Sequence, residues 1–186
     1  MDGSYSQTSI EVKTQTAKID AKKIQLVVRH VCKALKIDRF DLSITFLNAH
    51  QIAKINYEFR KLAKPTDVLA FPMNDWLSPL SVASKKKATS YIKGPQLTPH
   101  VVLGDIFICV SEACRNANAI GQSVSREVIF LLTHGILHLC GHDHIKQNEE
   151  KRMILEQKRL MSQLLEPPLV GRWDHCINHT PHRGCH

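Results

Sequence analysis

The chain has 186 residues, of which 43% are hydrophobic and 23% charged, a balance ordinary for one soluble domain with a substantial core. The formal net charge of +8 favours polyanionic partners such as nucleic acid, although a solvated basic surface without a partner would carry the same charge. No apolar run is long enough to cross a bilayer and residues 1–7 lack the order of a secretory signal, so we expect a cytoplasmic protein without membrane contact.

The first half of the chain alternates between strand and helix patterns. Strands are predicted from apolar residues at every second position, and helices from apolar residues three and four apart. In chain order the predicted elements are a strand over 8–12, a helix capped by Asp20 and ending near Leu35, a strand over 42–46, a helix capped by Asn48 and ending near Phe59, and a short apolar run over 68–71 between a turn and Pro72.

The second half begins with a long irregular stretch. Residues 74–102 carry prolines, serines and three consecutive lysines, and we interpret them as an inserted, mobile loop whose lysines either hold phosphates or are simply solvated. The elements predicted after it are a strand over 103–110, a helix from a cap at Ser111 to about Ile120 and Gly121, a helix over 124–140 ended by Gly141, an amphipathic helix over 148–165, and a tail without periodicity.

This order of elements predicts an α+β fold, because strands and helices mix without a regular βαβ alternation. The helix over 124–140 is apolar on nearly all sides, so we expect a small mixed sheet packed with helices around this central buried helix. Residues 1–166 would form a single domain, and the histidine- and cysteine-rich tail over 167–186 would be flexible. The cysteines in apolar stretches are expected to be buried and reduced: Cys32, Cys109, Cys114 and Cys140.

Three histidines around the end of the central helix predict a metal site. His134 and His138 are four residues apart, which places both imidazoles on one helix face. Gly141 permits a sharp turn because glycine accepts positive φ, and this turn can return His144 towards the other two. Three imidazoles facing one point suit Zn²⁺ with an open fourth position, and we expect one zinc ion per chain.

The segment contains two further polar residues, and each has two interpretations. His142 falls outside the spacing and is interpreted as a bystander, although as a fourth ligand it would make the site structural. Asp143 could support a ligand imidazole through a hydrogen bond, or could cap the next turn.

The same offsets occur in metzincin proteases, where a glutamate follows the first histidine and acts as general base. Here that position is Gly135, which has no side chain to move a proton. Peptide hydrolysis by that mechanism is therefore not expected, and no other carboxylate of the segment is an obvious general base.

With these residues in place, the sequence resembles the YbeY family of metal-dependent endoribonucleases. Residues 134–144 match the family pattern H-G-x-L-H-L-x-G-x-D-H, and residues 103–106 match L-G-D-I. Residues 64–72 match a basic residue followed by P-T-[DN]-V-L-S-F-P, with Ala70 in place of serine. The resemblance extends from about residue 41 to residue 165, and the inserted loop and the tail depart from it.

The resemblance implies a zinc-dependent, single-strand-specific endoribonuclease with His134, His138 and His144 as ligands and Arg60 as a catalytic group. A guanidinium can meet two phosphoryl oxygens at once, which suits a reaction that adds negative charge to them. The family further implies a role in maturation of the 3′ end of small-subunit ribosomal RNA and in ribosome quality control. Its implied partners are RNA, ribosomal proteins and a ribosome-assembly GTPase.

Two alternatives remain at this stage. The chain could be a zinc hydrolase of another substrate class, against which Gly135 counts. It could also be a non-catalytic ribosome-assembly factor with a structural metal, which would normally need a fourth protein ligand.

Overall fold

A four-stranded mixed sheet lies at the centre of the fold. The computed structural model describes residues 8–14, 18–84, 88–92, 100–143, 147–165 and 177–178. The sheet has the order β1-β3-β5-β4, in which β1, β3 and β5 are parallel and β4 runs antiparallel to β5 at one edge. Its strands are β1 (Ser9–Thr14), β3 (Phe40–Leu47), β4 (Val68–Pro72) and β5 (Val101–Cys109), while β2 (Lys18–Ile19) pairs elsewhere.

In the described ranges five α-helices pack around this sheet: α1 (Ala21–Ala34), α2 (Ala49–Arg60), α3 (Val110–Ala119), α4 (Val124–Leu139) and α5 (Gln147–Leu165). The predicted α+β class, with a mixed sheet and a central buried helix, is confirmed. The central helix is α4, which contacts α1, α3 and α5 as well as strands β4 and β5.

The two faces of the sheet bury separate clusters of apolar side chains. Ile106 and Ile108 of β5 belong to the large core that includes α1, α4 and α5. Leu69 and Cys109 belong to a smaller cluster with Ile52 of α2. Helices α4 and α2 therefore lie on opposite faces, because successive strand residues point to opposite sides of a sheet.

Helix starts were predicted where a side chain caps the backbone. Asp20 accepts a hydrogen bond from the backbone N–H of Lys23, and Asn48 forms a reciprocal capping box with Gln51. The cap predicted at Ser111 is wrong: α3 begins at Val110, directly after β5, and Cys109 at the cap position makes no side-chain bond.

The described part of the predicted inserted loop is packed against the core. Leu80 is fully buried, and its backbone N–H donates to the carbonyl of Cys140. Further along, Ser81 and the backbone N–H of Val82 donate to the two carboxylate oxygens of Glu156 on α5. The lysine run at 85–87 lies outside the described residues.

Two residues of the predicted tail have a defined partner. A short strand β6 (Ile177–Asn178) pairs antiparallel with β2, so the tail returns to the domain at this point. The four cysteines expected to be buried are buried and free of disulfides. No helix in the described ranges has the length and apolar character of a membrane span.

Candidate metal centre

Helix α4 leaves one stripe of side chains uncovered. Ser123 caps its start by accepting from the backbone N–H of Arg126 at 3.2 Å. Most positions beyond the cap are buried among neighbouring helices and the sheet. The uncovered positions lie four residues apart on one face, namely Arg126, Phe130, His134 and His138. The helix thus presents its two histidines side by side on an otherwise apolar element.

The two imidazoles face each other through the same ring atom. The Nε2 atoms of His134 and His138 are 3.1 Å apart, and the ring centroids are separated by 4.7 Å. Two nitrogens bound to one tetrahedral zinc at its usual bond length lie about 3.3 Å apart. The observed separation therefore suits two ligands of one metal ion.

Hydrogen bonds to the other ring nitrogen fix the tautomer of each histidine. Nδ1 of His138 lies 3.0 Å from the backbone carbonyl of His142, which can only accept, so Nδ1 carries the proton. Nδ1 of His134 lies 3.0 Å from Oε1 of Gln157. Since Gln157 donates from Nε2 to the carbonyl of Phe130, its oxygen is the atom that faces His134. Both Nε2 atoms then carry the lone pair that a metal ligand needs.

The fit to a metal rests on these two residues. Among the described residues, no group of three or more histidine, cysteine, aspartate or glutamate side chains is arranged to hold a metal ion. The third predicted ligand, His144, lies outside them. The two imidazoles have the tautomer and spacing of zinc ligands, so the residues present fit the ion that the sequence predicts.

Gly141 forms the turn that follows α4. Its φ is +87°, a value that L-residues rarely adopt, and its N–H donates to the carbonyl of His138. A Cβ at this position would lie 2.9 Å from Cβ of Trp76. The indole N–H of Trp76 in turn donates to the carbonyl of Leu139 at 2.7 Å. The inserted loop thus packs directly on the turn, and only glycine fits beneath Trp76.

His142 is directed away from the histidine pair. It is 6% exposed, and its Nε2 donates to the backbone carbonyl of Leu80 in the inserted loop. Burial lowers the pKa of His142, an effect opposed by the bond to Leu80 and by the charge of Glu156. His142 is therefore placed as a neutral contact to the loop rather than as a fourth ligand.

Asp143 follows the turn after α4, and its support of a ligand imidazole remains a prediction. The Nδ1 atoms of His134 and His138 already donate to Gln157 and to the carbonyl of His142. Asp143 is half-buried and lines a cavity of about 360 Å³ together with Trp76.

Gly135 lies where α4 crosses the sheet. A Cβ built there would lie 3.1 Å from Cδ1 and 3.2 Å from Cγ2 of Ile106 on β5. The position faces the sheet, whereas His134 and His138 lie on the uncovered stripe. A side chain at position 135 would therefore crowd Ile106, which would have to shift by a few tenths of an ångström.

Arg60 is the last residue of α2 and is exposed. Among the described residues, no hydrogen bond or ion pair joins it to the histidine pair. The chain continues through Lys61, which has φ of +58°, into the turn before β4. Asn56 of α2 supports this turn by donating to the carbonyl of Lys64 at 2.8 Å.

A polar network that sequence reasoning missed ties this turn to α4. Asp67 accepts from the backbone N–H of Val68 and from the side-chain amide of Asn116 on α3, at 2.8 and 3.0 Å. The same amide of Asn116 lies 3.3 Å from Glu127 in the first turn of α4. The segment following Arg60 is thereby attached to the helix that carries the histidines. The network joins residues far apart in sequence, so no local pattern indicates it.

Comparison with known families gives one consistent result. A family model described as Endoribonuclease YbeY matches residues 9–165. A protein of this name from Acetivibrio thermocellus is 33% identical over 159 residues, which cover 85% of this chain and 92% of that protein. Another from Heliobacterium modesticaldum is 39% identical over 127 residues, or 68% of this chain and 71% of that protein.

The fold also has a counterpart among solved structures. The solution structure of a protein from Thermotoga maritima superposes with a TM-score of 0.57, covering 88% of this chain and 91% of that one. The two sequences are 22% identical, so this likeness concerns the fold alone.

Proposed function

The chain belongs to the endoribonuclease YbeY family, and on that premise we propose that it is a zinc-dependent, single-strand-specific endoribonuclease that acts in ribosomal RNA processing. The observation that carries the proposal is the histidine pair of α4, whose Nε2 atoms lie 3.1 Å apart and whose Nδ1 atoms are both tethered. Family membership is the basis for three further proposals. The protein would act in maturation of the 3′ end of small-subunit ribosomal RNA and in ribosome quality control. It would be cytoplasmic, and its partners would be ribosomal proteins and a ribosome-assembly GTPase.

The proposed ligands are His134, His138 and His144, with one Zn²⁺ per chain. When bound, zinc supplies Lewis acidity towards a phosphoryl oxygen and activation of water. Gln157 and the carbonyl of His142 hold the first two imidazoles in the metal-binding tautomer throughout. Gly141 allows the chain to turn sharply before His144, and Trp76 packs over this turn.

Arg60 is proposed to bind the phosphoryl oxygens of the scissile phosphodiester. Its guanidinium can donate two hydrogen bonds to them as negative charge develops. The network from Asp67 through Asn116 to Glu127 supports this role, because it fixes the turn after Arg60 relative to α4.

Two observations count against the alternatives. A protease mechanism of the metzincin type needs a glutamate after the first histidine, whereas this chain has Gly135, and a side chain there would crowd Ile106. A structural metal would need His142 as its fourth ligand, but the side chain of His142 points to the inserted loop and donates to the carbonyl of Leu80. The direction of His142 favours a site with an open coordination position.

The test is metal analysis together with cleavage of single-stranded and duplex RNA by the purified protein. We expect about one zinc per chain, cleavage of the single strand only, and loss of most zinc in His138→Ala. Zinc in His138→Ala equal to wild type would show that the ligands are misassigned. Absence of RNA cleavage by zinc-loaded wild type would overturn the proposed activity.

Arg60→Ala separates catalysis from metal binding. We expect it to keep zinc and fold but to cleave about a hundredfold more slowly, the effect of losing about 3 kcal/mol of transition-state stabilisation. Arg60→Lys keeps the charge without the two-pronged geometry, so it should recover only part of the rate. Arg29→Ala removes an exposed arginine of α1 and serves as the matched control. Equal rates for wild type and Arg60→Ala at matched zinc content would exclude this role.

A further inference from the structure

Two adjoining cavities open along the uncovered stripe of α4. One of about 480 Å³ lies between the end of α3, the start of α4 and the facing side of α5. The other, of about 220 Å³, reaches His134. Both are lined by Phe130, Gln157 and Lys158, so they form one depression, which we call the α3–α5 cleft. Its size is that of a small-molecule pocket, and it is continuous with the candidate metal centre.

Phe130 is the aromatic surface of this cleft. Its side chain is 40% exposed although most positions of its helix are buried. Its ring lies nearly parallel to the imidazole of His134, with an interplanar angle of 17° and centroids 6.3 Å apart. An exposed ring beside a nuclease site can stack with an unpaired base, and such stacking needs no particular base sequence.

The polar lining suits a neutral ring that carries N–H donors. The amide nitrogens of Asn116 and Gln122 are both directed to Glu127, which is 5% exposed. In the described part of the chain their amide oxygens accept no hydrogen bond, so they remain available to a ligand. An amide oxygen can accept from the exocyclic amino group of adenine, cytosine or guanine, which has two N–H bonds, whereas uracil donates only from its single ring N3–H.

The charges of the lining argue against a phosphate deep in the cleft. Arg126 and Lys158 are exposed at its rim, while Glu127 lies on its floor and Glu150 lies towards His134. The acidic floor would repel a phosphate, whereas the two basic side chains can contact a phosphate that stays at the rim.

We propose that the α3–α5 cleft binds one base of a single-stranded RNA, stacked on Phe130, next to the phosphodiester at the histidine pair. The base carries an exocyclic amino group that donates to Asn116 or Gln122, and the adjoining phosphate lies near Lys158. The inference rests on the proposed RNA cleavage and names the part of the substrate that this chain reads.

The first test measures binding and cleavage of short single-stranded oligonucleotides at matched zinc content. Phe130→Ala is expected to bind about tenfold more weakly, with the loss mainly in KM, whereas Phe130→Trp keeps a stacking surface and binds as wild type does. Because Phe130 contacts His134, Phe130→Leu provides a variant that keeps apolar contact but cannot stack, and it should resemble Phe130→Ala. Leu155→Ala is the control, since Leu155 is 49% exposed on α5 and does not line the cleft.

A second test concerns the identity of the base. Oligonucleotides that differ at one position are expected to show preference for adenine, cytosine or guanine over uracil, and Gln122→Leu should weaken this preference. Lys158→Ala should lower affinity for all oligonucleotides, unlike Lys151→Ala, which removes an exposed lysine of α5 outside the cleft.

The outcomes separate this inference from the proposed function. If wild type cleaves RNA but Phe130→Ala and Phe130→Leu bind as wild type does, the cleft proposal is wrong and the nuclease proposal stands. If wild type binds oligonucleotides through Phe130 without cleaving them, the nuclease proposal is wrong and the cleft proposal stands.

Discussion

The orientation of His134 depends on a residue of another helix. Gln157 joins α5 to α4 through two hydrogen bonds, one to Nδ1 of His134 and one to the carbonyl of Phe130. Although polar, it is only 5% exposed. Because the oxygen and the nitrogen of this buried amide are both hydrogen-bonded, the side chain of Gln157 holds the imidazole of His134 in one orientation. Gln157 therefore affects metal binding through His134.

Gln157→Leu is expected to lower zinc affinity between about tenfold and a hundredfold without unfolding the chain, because His134 loses the acceptor that fixes its tautomer. Chelator competition measures the affinity, and Gln163→Leu on the same helix is the control. Gln157→Glu keeps an acceptor at Nδ1 and should retain zinc better than Gln157→Leu. Wild-type affinity in Gln157→Leu would show that the bond has no part in metal binding.

Gly141 and Gly121 allow a matched comparison of two glycines with positive φ. Gly141 lies beneath Trp76, whereas a Cβ at Gly121 would have no atom within 4 Å. Gly121→Ala is expected to cost about 1 kcal/mol from the left-handed backbone alone and to leave zinc binding unchanged. Gly141→Ala adds the contact with Trp76 and should lose zinc as well as stability.

Far-ultraviolet circular dichroism and metal analysis distinguish these effects. We expect both variants to keep their helices, since each change lies after the end of a helix. Full zinc occupancy in Gly141→Ala would mean that the turn does not position the third ligand.

At the level of elements, the approach of α4 to β5 depends on Gly135. The nearest atoms that a Cβ would meet belong to Ile106, at 3.1 to 3.4 Å. Alanine favours a helix over glycine by about 1 kcal/mol, whereas overpacking a core costs about 1–3 kcal/mol. The gain in helix propensity and the cost of overpacking oppose each other in Gly135→Ala. The packing strain is therefore best isolated by changing both Gly135 and Ile106.

Gly135→Ala is therefore expected to destabilise the wild type but to be neutral or stabilising in an Ile106→Val background, where the nearest methyl group is absent. Denaturant unfolding of the four proteins in this cycle gives the coupling free energy, which we expect to be about 1 kcal/mol. Additive effects of the two changes would contradict a direct packing conflict between α4 and β5.

The elements with local signals were predicted well, and those held by distant contacts were not. Asp20 and Asn48 cap their helices through bonds that span three residues, so the sequence indicates both starts. Helix α3 follows β5 without a capping side chain, and the interpretation of Ser111 was wrong for that reason. The pairing of Lys18–Ile19 with Ile177–Asn178 joins segments that no periodicity relates.

In the candidate site, too, the residues with a local sequence signal were predicted and those held by distant contacts were not. The spacing of His134 and His138 follows from helical geometry, and the structure places both rings together. Trp76 and Leu80 contact the end of α4 from a segment whose composition resembles a loop, so a search for periodic patterns passes over them. His144 lies outside the described residues and remains a prediction.

For the whole molecule, the net charge of +8 predicts that RNA binding weakens as salt rises. The logarithm of the binding constant should fall linearly with the logarithm of salt concentration, with a slope of about −0.7 for each phosphate of a single strand that the protein neutralises. Arg60→Ala should make this slope shallower by about 0.7, while Arg29→Ala should leave it unchanged. A slope unaffected by Arg60→Ala would place that side chain away from the phosphates.

The parallel pairing of β3 with β5 affects how quickly the chain can fold. The connection between these two central strands runs from residue 48 to residue 100. The whole connection must close as one loop before the residue pairs of the two strands, from Phe40–Val101 to Leu47–Cys109, can form. Closing so long a loop costs entropy before any contact compensates for it, so refolding should be slow compared with helical proteins of similar length. During that interval the edges of β3 and β5 that face each other in the native sheet remain unpaired, and aggregation on refolding should increase with protein concentration.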